Sequence, residues 1–399
     1  MEARYDVAIV GGGPAGLSTA LHLLAAAPRL RVVVLERATY PRDKICAGAI
    51  AGRAFAVLRA IGVDAQLDAV PCVRIDAGEA VLAGGRARVV VPEAARVVRR
   101  SEFDAALAAI ARGRGIELRT GARVVGLRRH DRAVAVGLAS GDELVARAVV
   151  GADGVAGVTR RLAGFGRGRL RAQAVEVDTE GAPDDPPPTT LRFTFDPTLR
   201  GYLWDFPTPV DGRLLWSRGA YLLRDDARGD VRAHLAAHLA RRGLTLDAHR
   251  PRQLAEQGLA PHAPLATPRV LLVGEAAGID FPTGEGIAQA IAYGQVAGPY
   301  LAAALARDRI GFGDWARVWH ASDEGRFLRR RHLGGRLLFG PRRPLVERAL
   351  LRTPSLLRLA LERFAGRPVR RRDLAGALAL GLYRSWNEID VERPNADSV

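Results

Sequence analysis

Residues 11–16 read GGGPAG, between the apolar run YDVAIV (5–10) and a helical run that ends near Pro28. Gly11, Gly13 and Gly16 fall on the spacing G-x-G-x-x-G. In that pattern the first glycine permits a tight turn and the second lets backbone approach a pyrophosphate. The third allows the helix to pack closely on the strand. The helix N-terminus, over Pro14 and Ala15, then faces the anion. A second predicted strand, RVVVLER (31–37), completes a β-turn-α-β unit of about 30 residues. It ends with Glu36, 20 residues beyond Gly16, where a carboxylate accepts from both ribose hydroxyls. The stretch predicts a bound dinucleotide, and the acid favours an adenosine ribose without a 2′-phosphate, hence FAD or NAD.

Two later stretches choose between these. VVGADGVAGVTRR (149–161) and RVLLVGEAAGIDFPTGEGIAQAI (269–291) each place Gly-rich backbone and one acid near a strand end. They resemble the two remaining fingerprints of the p-hydroxybenzoate-hydroxylase-like FAD superfamily. That resemblance implies tightly bound FAD, with Asp153 and Gly154 in the first fingerprint and Gly274 and Glu275 in the second. Glu275 would hold a ribityl hydroxyl, and Pro282, Gly284, Glu285 and Gly286 would run along the isoalloxazine ring. Ile287 would open a helix whose N-terminus stabilises negative charge on the reduced ring. Arg100, in RSEFD, matches the arginine that the superfamily sets near the phosphates, and Arg37 and Val124 join the expected cofactor contacts. Two positions depart from the pattern: Glu275 stands where Asp is usual, and Gly157 where Ser is usual.

The chain has 59 Lys+Arg, of which one, Lys44, is lysine. It lies in PRDKICAGA, two residues before Cys46, one of only two cysteines. This stretch resembles P-R-D-K-x-C-G-G of the geranylgeranyl reductase family, with Ala47 replacing a glycine. GYLWDFP (201–207) resembles that family's Y-x-W-x-F-P motif through Tyr202, Trp204, Phe206 and Pro207, although Leu199 stands where its upstream proline belongs. The resemblance implies catalytic roles for Cys46 and Lys44, both also beside the flavin with Ala47. Lys44 would offer a compact positive charge and Cys46 a proton. Tyr202, Trp204 and Phe206 alternate as on a strand, so they share one face, read as a wall of the substrate pocket. The implied reaction is reduction of isoprenoid C=C bonds by hydride from reduced flavin, with NAD(P)H or a ferredoxin as electron donor.

The fold expected is α/β: a Rossmann-like FAD-binding domain with an inserted β-sheet substrate domain and a C-terminal helical region. Its boundaries are read as 1–165 with 262–310 for the cofactor domain, including a small β insertion near 65–100. Residues 166–261 form the substrate sheet, 311–385 the helical region and 386–399 a polar tail. Composition, at 48% hydrophobic and 26% charged, suits a globular protein rather than a disordered one. Two cysteines make no disulfide framework, so Cys46 and Cys72 are expected as free thiols in a reducing cytoplasm. No targeting segment and no run long enough to span a membrane is evident.

Net charge is +16, and nucleic acid is the reflex reading. The near-total exchange of Lys for Arg dilutes the meaning of each arginine, and the charge is concentrated. Residues 326–373 hold 15 arginines against Glu347, Glu362 and Asp373, together with a Leu-rich face. That combination suits an anionic membrane surface rather than nucleic acid, so peripheral attachment through residues 326–372 to the inner face of the cell membrane is expected. His234 and His238 stand i, i+4 without a third ligand and are read as a helix-surface pair, with no metal site. Two other functions stay open: a monooxygenase, with a halogenase behind it because W-x-W-x-I-P is altered at Tyr202 and Phe206, and a flavin-binding electron relay without turnover.

Overall fold

The computed structural model describes residues 4–380 apart from 167, 169, 225–229, 261, 280, 281, 309, 371, 374 and 378. The expected tail at 386–399 and residues 381–385 of the expected helical region lie outside these. Two eight-stranded sheets carry the described chain. In the first, Tyr5–Val10 runs parallel to Val32–Leu35 on one side and to Glu143–Gly151 on the other. Val270–Leu272 and Glu117–Arg119 extend it in the same sense. Val32–Leu35 is buried at all four residues, because both faces of a parallel sheet are covered. One cover is a pair of helices, Pro14–Ala26 and Ile287–Ala306. Small residues bring them together: a Cβ on Gly294 would lie 2.3 Å from Ser18 Oγ, and one on Gly298 2.6 Å from the His22 backbone. Ser18 Oγ also donates to the Ile291 carbonyl at 2.7 Å.

The second sheet runs Arg252–Gln257, Leu170–Thr179, Arg213–Leu223, Gly201–Val210, Thr190–Thr194, Cys72–Leu82, Gly85–Val98, Ala49–Ala51. Its strands pair antiparallel except Thr190–Thr194, which lies parallel to Cys72–Leu82. The segment near 65–100, read from sequence as an insertion in the cofactor domain, supplies two strands of this second sheet. Local pattern showed two short β-like pieces; the structure makes one long hairpin turning at Ala83 and Gly84. Strand alternation gives this sheet two different faces. Leu203, Ala220 and Leu222 pack under the helix Val231–Ala240 through Leu235 and Leu239. Tyr202, Trp204, Phe206 and Tyr221 point the other way, toward the first sheet.

Beyond residue 310 the described chain is helical, over Trp315–Ala321, Asp323–Leu338, Arg343–Arg352 and Pro354–Phe364. Trp315 and Trp319 are fully buried, and Trp319 stacks on Tyr293. Ser322 caps the second of these helices by accepting from Gly325 N–H at 3.0 Å. Among the described residues no helix is long and apolar enough to cross a membrane.

Candidate active site

A cavity of about 430 Å³ lies between the sheets and is walled by both. At one end is the glycine turn. Gly11 has φ +106°, and a Cβ there would sit 2.4 Å from the Ala152 carbonyl oxygen. A Cβ on Gly16 would meet the Gly11 carbonyl oxygen at 1.9 Å, so this glycine serves packing and does not line the cavity. Gly13 differs: a Cβ there would have no neighbour nearer than Arg42, at 3.7 Å, and the residue opens onto the cavity. The helix it begins has no side-chain cap and no acid in its first turn. Bare N–H groups therefore face open space beside Pro14 and Ala15.

Glu36 is fixed at the end of its strand by two backbone donors, Gly12 N–H and Ala38 N–H, each at 3.0 Å. Arg37 and Val124 line the cavity beside it. Arg100 makes a two-pronged contact with Asp104, at 2.8 and 2.7 Å. The same carboxylate holds Arg42 at 3.2 Å, and Arg42 also approaches Glu36 at 3.3 Å. Sequence reading found Arg100 but missed Arg42 and Asp104. The i, i+4 spacing of Arg100 and Asp104 on a predicted helix was the available signal.

In the middle, Asp153 Oδ2 accepts from Val158 N–H, Thr159 N–H and Thr159 Oγ1, at 2.7 to 2.9 Å. Asp153 Oδ1 has no partner among the described residues. A Cβ on Gly157 would come within 2.2 to 2.5 Å of this carboxyl group, which accounts for glycine where the family pattern has serine. Glu275 and Gly154 line the cavity side by side, a Cβ on Gly154 lying 3.6 Å from Glu275 Oε2, and Lys44 Nζ stands 3.9 Å from the same oxygen. Burial pushes the Glu275 carboxyl up, with Lys44 opposing. Gly274, read as a cofactor contact, packs instead: φ is +59°, and a Cβ would meet Ala15 Cβ at 2.5 Å.

The 282–287 segment divides its duties. Gly284, Glu285, Gly286 and Ile287 line the cavity, and the long helix starts at Ile287 without a side-chain cap. Pro282 does not line it; it is buried under Gly335. The Glu285 carboxylate is held by Arg53 at 2.6 Å and by Arg331, tying the loop to the C-terminal helices.

The far end is apolar. Tyr202, Trp204 and Phe206 lie on one face, joined by Phe193 and Tyr221, and the Tyr202 and Tyr221 rings stack at 5.1 Å. Tyr202 OH donates to the Thr283 carbonyl at 2.8 Å, pinning the loop below the sheet. Trp204 Nε1 donates to Ser217 Oγ at 3.2 Å, and its indole lies over Gly219, where a Cβ would clash at 2.1 Å. Phe364, from the last C-terminal helix described, closes part of this end and was not found from sequence. Cys46 and Ala47 line the junction between the two ends. Cys46 N–H donates to Glu176 Oε1 at 3.2 Å, and its sulfur accepts from Gly48 N–H at 3.4 Å. Burial pushes the Cys46 thiol up, with the Arg100 guanidinium opposing. Lys44 lies in the same cavity wall and is half-buried.

The histidine pair is not a surface pair. His238 is buried, and its Nε2 sits 3.0 Å from Asp205 Oδ1 beneath the far face of the sheet. Asp205 also binds Arg218 at 2.7 Å and Arg242 at 2.8 Å. Alternation along the strand turns Asp205 away from Trp204 and Phe206, so this ionic cluster stands outside the cavity.

The bare Gly13, two uncapped helix starts, the orphaned Asp153 oxygen and the fixed Glu36 form a donor and acceptor set that fits FAD. The comparisons agree. The FAD binding domain family matches residues 4–190. Rifampicin monooxygenase of Streptomyces venezuelae is 29% identical over 70% of this chain, and the match spans only 60% of that relative's own length. Menaquinone reductase of Mycolicibacterium smegmatis is 28% identical over 80% of each chain. A geranylgeranyl bacteriochlorophyll reductase-like protein from Thermoplasma acidophilum superposes with TM-score 0.76, covering 97% of this chain and 98% of that one at 19% identity.

Proposed function

We propose that this chain, whose residues 4–190 match the FAD binding domain family, is an FAD-dependent oxidoreductase that reduces C=C bonds of an isoprenoid or similar lipophilic substrate. The observation that carries this reading is the continuity of the cavity. It passes from the glycine turn, by Lys44 and Cys46, to a wall of Tyr202, Trp204, Phe206 and Tyr221. FAD, bound there and reduced by NAD(P)H or a ferredoxin, supplies a hydride for one alkene carbon.

The chain's own residues do the rest. The Gly13 backbone and Arg42 would hold the pyrophosphate, and Glu36 would take the ribose hydroxyls. Asp153 and Glu275 offer carboxylate oxygens to polar groups in the middle. The aromatic wall excludes water and aligns the chain of the substrate, which matters because an isolated alkene is a poor hydride acceptor. Cys46, kept as a thiol by its burial, delivers the proton to the second carbon.

A hydroxylase is the second reading, favoured by the likeness to a rifampicin monooxygenase. Product analysis separates the two. With reduced enzyme and a prenyl substrate, we expect product that has gained two hydrogens per bond; a gain of one oxygen, with aerobic turnover, replaces this proposal by the second.

A further inference from the structure

We propose that Glu176 is the proton reservoir of this cavity, reloading the thiol of Cys46 after each turnover; the inference rests on the reductase reading above. Glu176 lies on the strand Leu170–Thr179 and is fully buried, yet it forms part of the cavity wall. Oε1 accepts from the Cys46 N–H at 3.2 Å and faces Arg252 Nη2 at 3.2 Å. Oε2 has no partner among the described residues. A buried carboxyl oxygen left without a donor favours the protonated state, in which the group itself becomes the donor.

The surroundings are nearly balanced in charge. Arg252 also binds Asp178 at 3.0 Å and Asp43 at 3.8 Å, and Arg99 holds Asp178 at 3.0 Å. Lys44 and Arg100 approach from the Cys46 side, and Glu256 lines the same cavity from the neighbouring strand. Burial is the largest influence, and Asp178 adds to it against Arg252. Together they push the Glu176 carboxyl up to about 7.

The chemistry of the cavity asks for such a group. The Cys46 thiol is a weak acid, and once its proton has gone to carbon the thiolate is enclosed, with Arg100 as its counter-charge. Glu176 is the stronger acid, anchored on the backbone of the same residue. In the balanced step the alkene π bond breaks and two C–H bonds form. One takes a hydride from the reduced cofactor, which is oxidised by two electrons, and the other takes the S–H proton. The Glu176 O–H proton then passes to sulfur, leaving a carboxylate beside Arg252 that is reprotonated from water.

The test is Glu176→Gln. In wild type the steady-state rate falls as pH rises through about 7, because the reservoir empties. E176Q is expected to keep its flavin and a near-normal first turnover. Its later turnovers slow by roughly tenfold or more, and its rate is flat between about pH 6 and about pH 8. Glu176→Asp, which can still titrate, restores a pH-dependent rate. Infrared titration of the wild type needs no substrate: a carboxylic C=O band that disappears near neutral pH and is missing from E176Q supports the assignment. Absence of that band in wild type overturns it. A wild type that reduces alkenes while E176Q shows the same pH profile overturns this inference alone. A wild type that reduces no prenyl alkene overturns the functional reading, and this inference with it.

Discussion

The two ends of the cavity are made rigid by different physics. At the glycine end the fixing elements are charges and backbone. One fully buried carboxylate, Asp104, holds both Arg100 and Arg42, and Glu36 is clamped by two amides. At the aromatic end the fixing element is packing: ring on ring, an indole over Gly219, and a phenylalanine supplied by a distant helix. A ligand that carries phosphates needs donors held at set distances, which favours preorganised polar groups. A greasy substrate needs volume and dryness, which any well-packed apolar wall supplies.

The sharpest way to break the contrast is at Gly11. Alanine there meets both a left-handed backbone and the Ala152 carbonyl. These cost together about 3 kcal/mol. We expect Gly11→Ala to emerge without yellow colour and to melt at lower temperature, while the aromatic sheet stays folded. A variant that carries a full complement of flavin shows that the backbone turn does not hold the cofactor.

The contrast also explains what could be read from the sequence. Gly11, Gly13, Gly16 and Glu36 fall within one short unit, so their spacing alone announced a dinucleotide. The alternation of Tyr202, Trp204 and Phe206 announced a shared face, and the structure puts all three on the cavity. Reading failed where roles depend on distant partners. Gly274 falls in a cofactor fingerprint yet packs on Ala15, because spacing cannot say whether a glycine faces a ligand or a neighbouring helix. Glu285 lines the cavity with its neighbours, but its ion pair with Arg331, far along the chain, has no local signal. Glu176 stands 130 positions from the cysteine whose amide it accepts, and nothing in its own neighbourhood marks it. The hairpin near 65–100 shows the same limit: Cys72–Leu82 pairs with Thr190–Thr194, a later part of the chain, so local pattern does not show which sheet it joins.

Cys46, at the junction, sharpens the comparison. If its thiol belongs to the chemistry rather than to either wall, Cys46→Ser leaves the flavin spectrum intact and slows substrate reduction by roughly tenfold or more. Serine is smaller and a poorer proton donor, but it keeps a polar atom for the Gly48 N–H that the sulfur now accepts. Unchanged turnover removes Cys46 from the mechanism and assigns the junction to packing alone.

The smallest effect on the isolated enzyme is expected on the exposed side of the helix Asp323–Leu338. Leu333 and Leu337 are 62% and 41% exposed, on a helix whose Gly335 rests on Pro282 and which is flanked by exposed Arg329, Arg330 and Arg336. Arginines near an anionic bilayer contribute about 1 kcal/mol each, and a buried leucine side chain roughly 1.5 kcal/mol or more. We therefore expect the pair Leu333→Ser and Leu337→Ser to weaken sedimentation with anionic vesicles by roughly a hundredfold. Turnover of detergent-dispersed substrate should not change, because neither leucine lines the cavity. Loss of vesicle binding with turnover preserved places delivery of the substrate, rather than its reduction, on this surface. Unchanged binding makes the basic helices a solvated outer face, tied to the chemistry through contacts such as Arg331, Gly335 and Phe364.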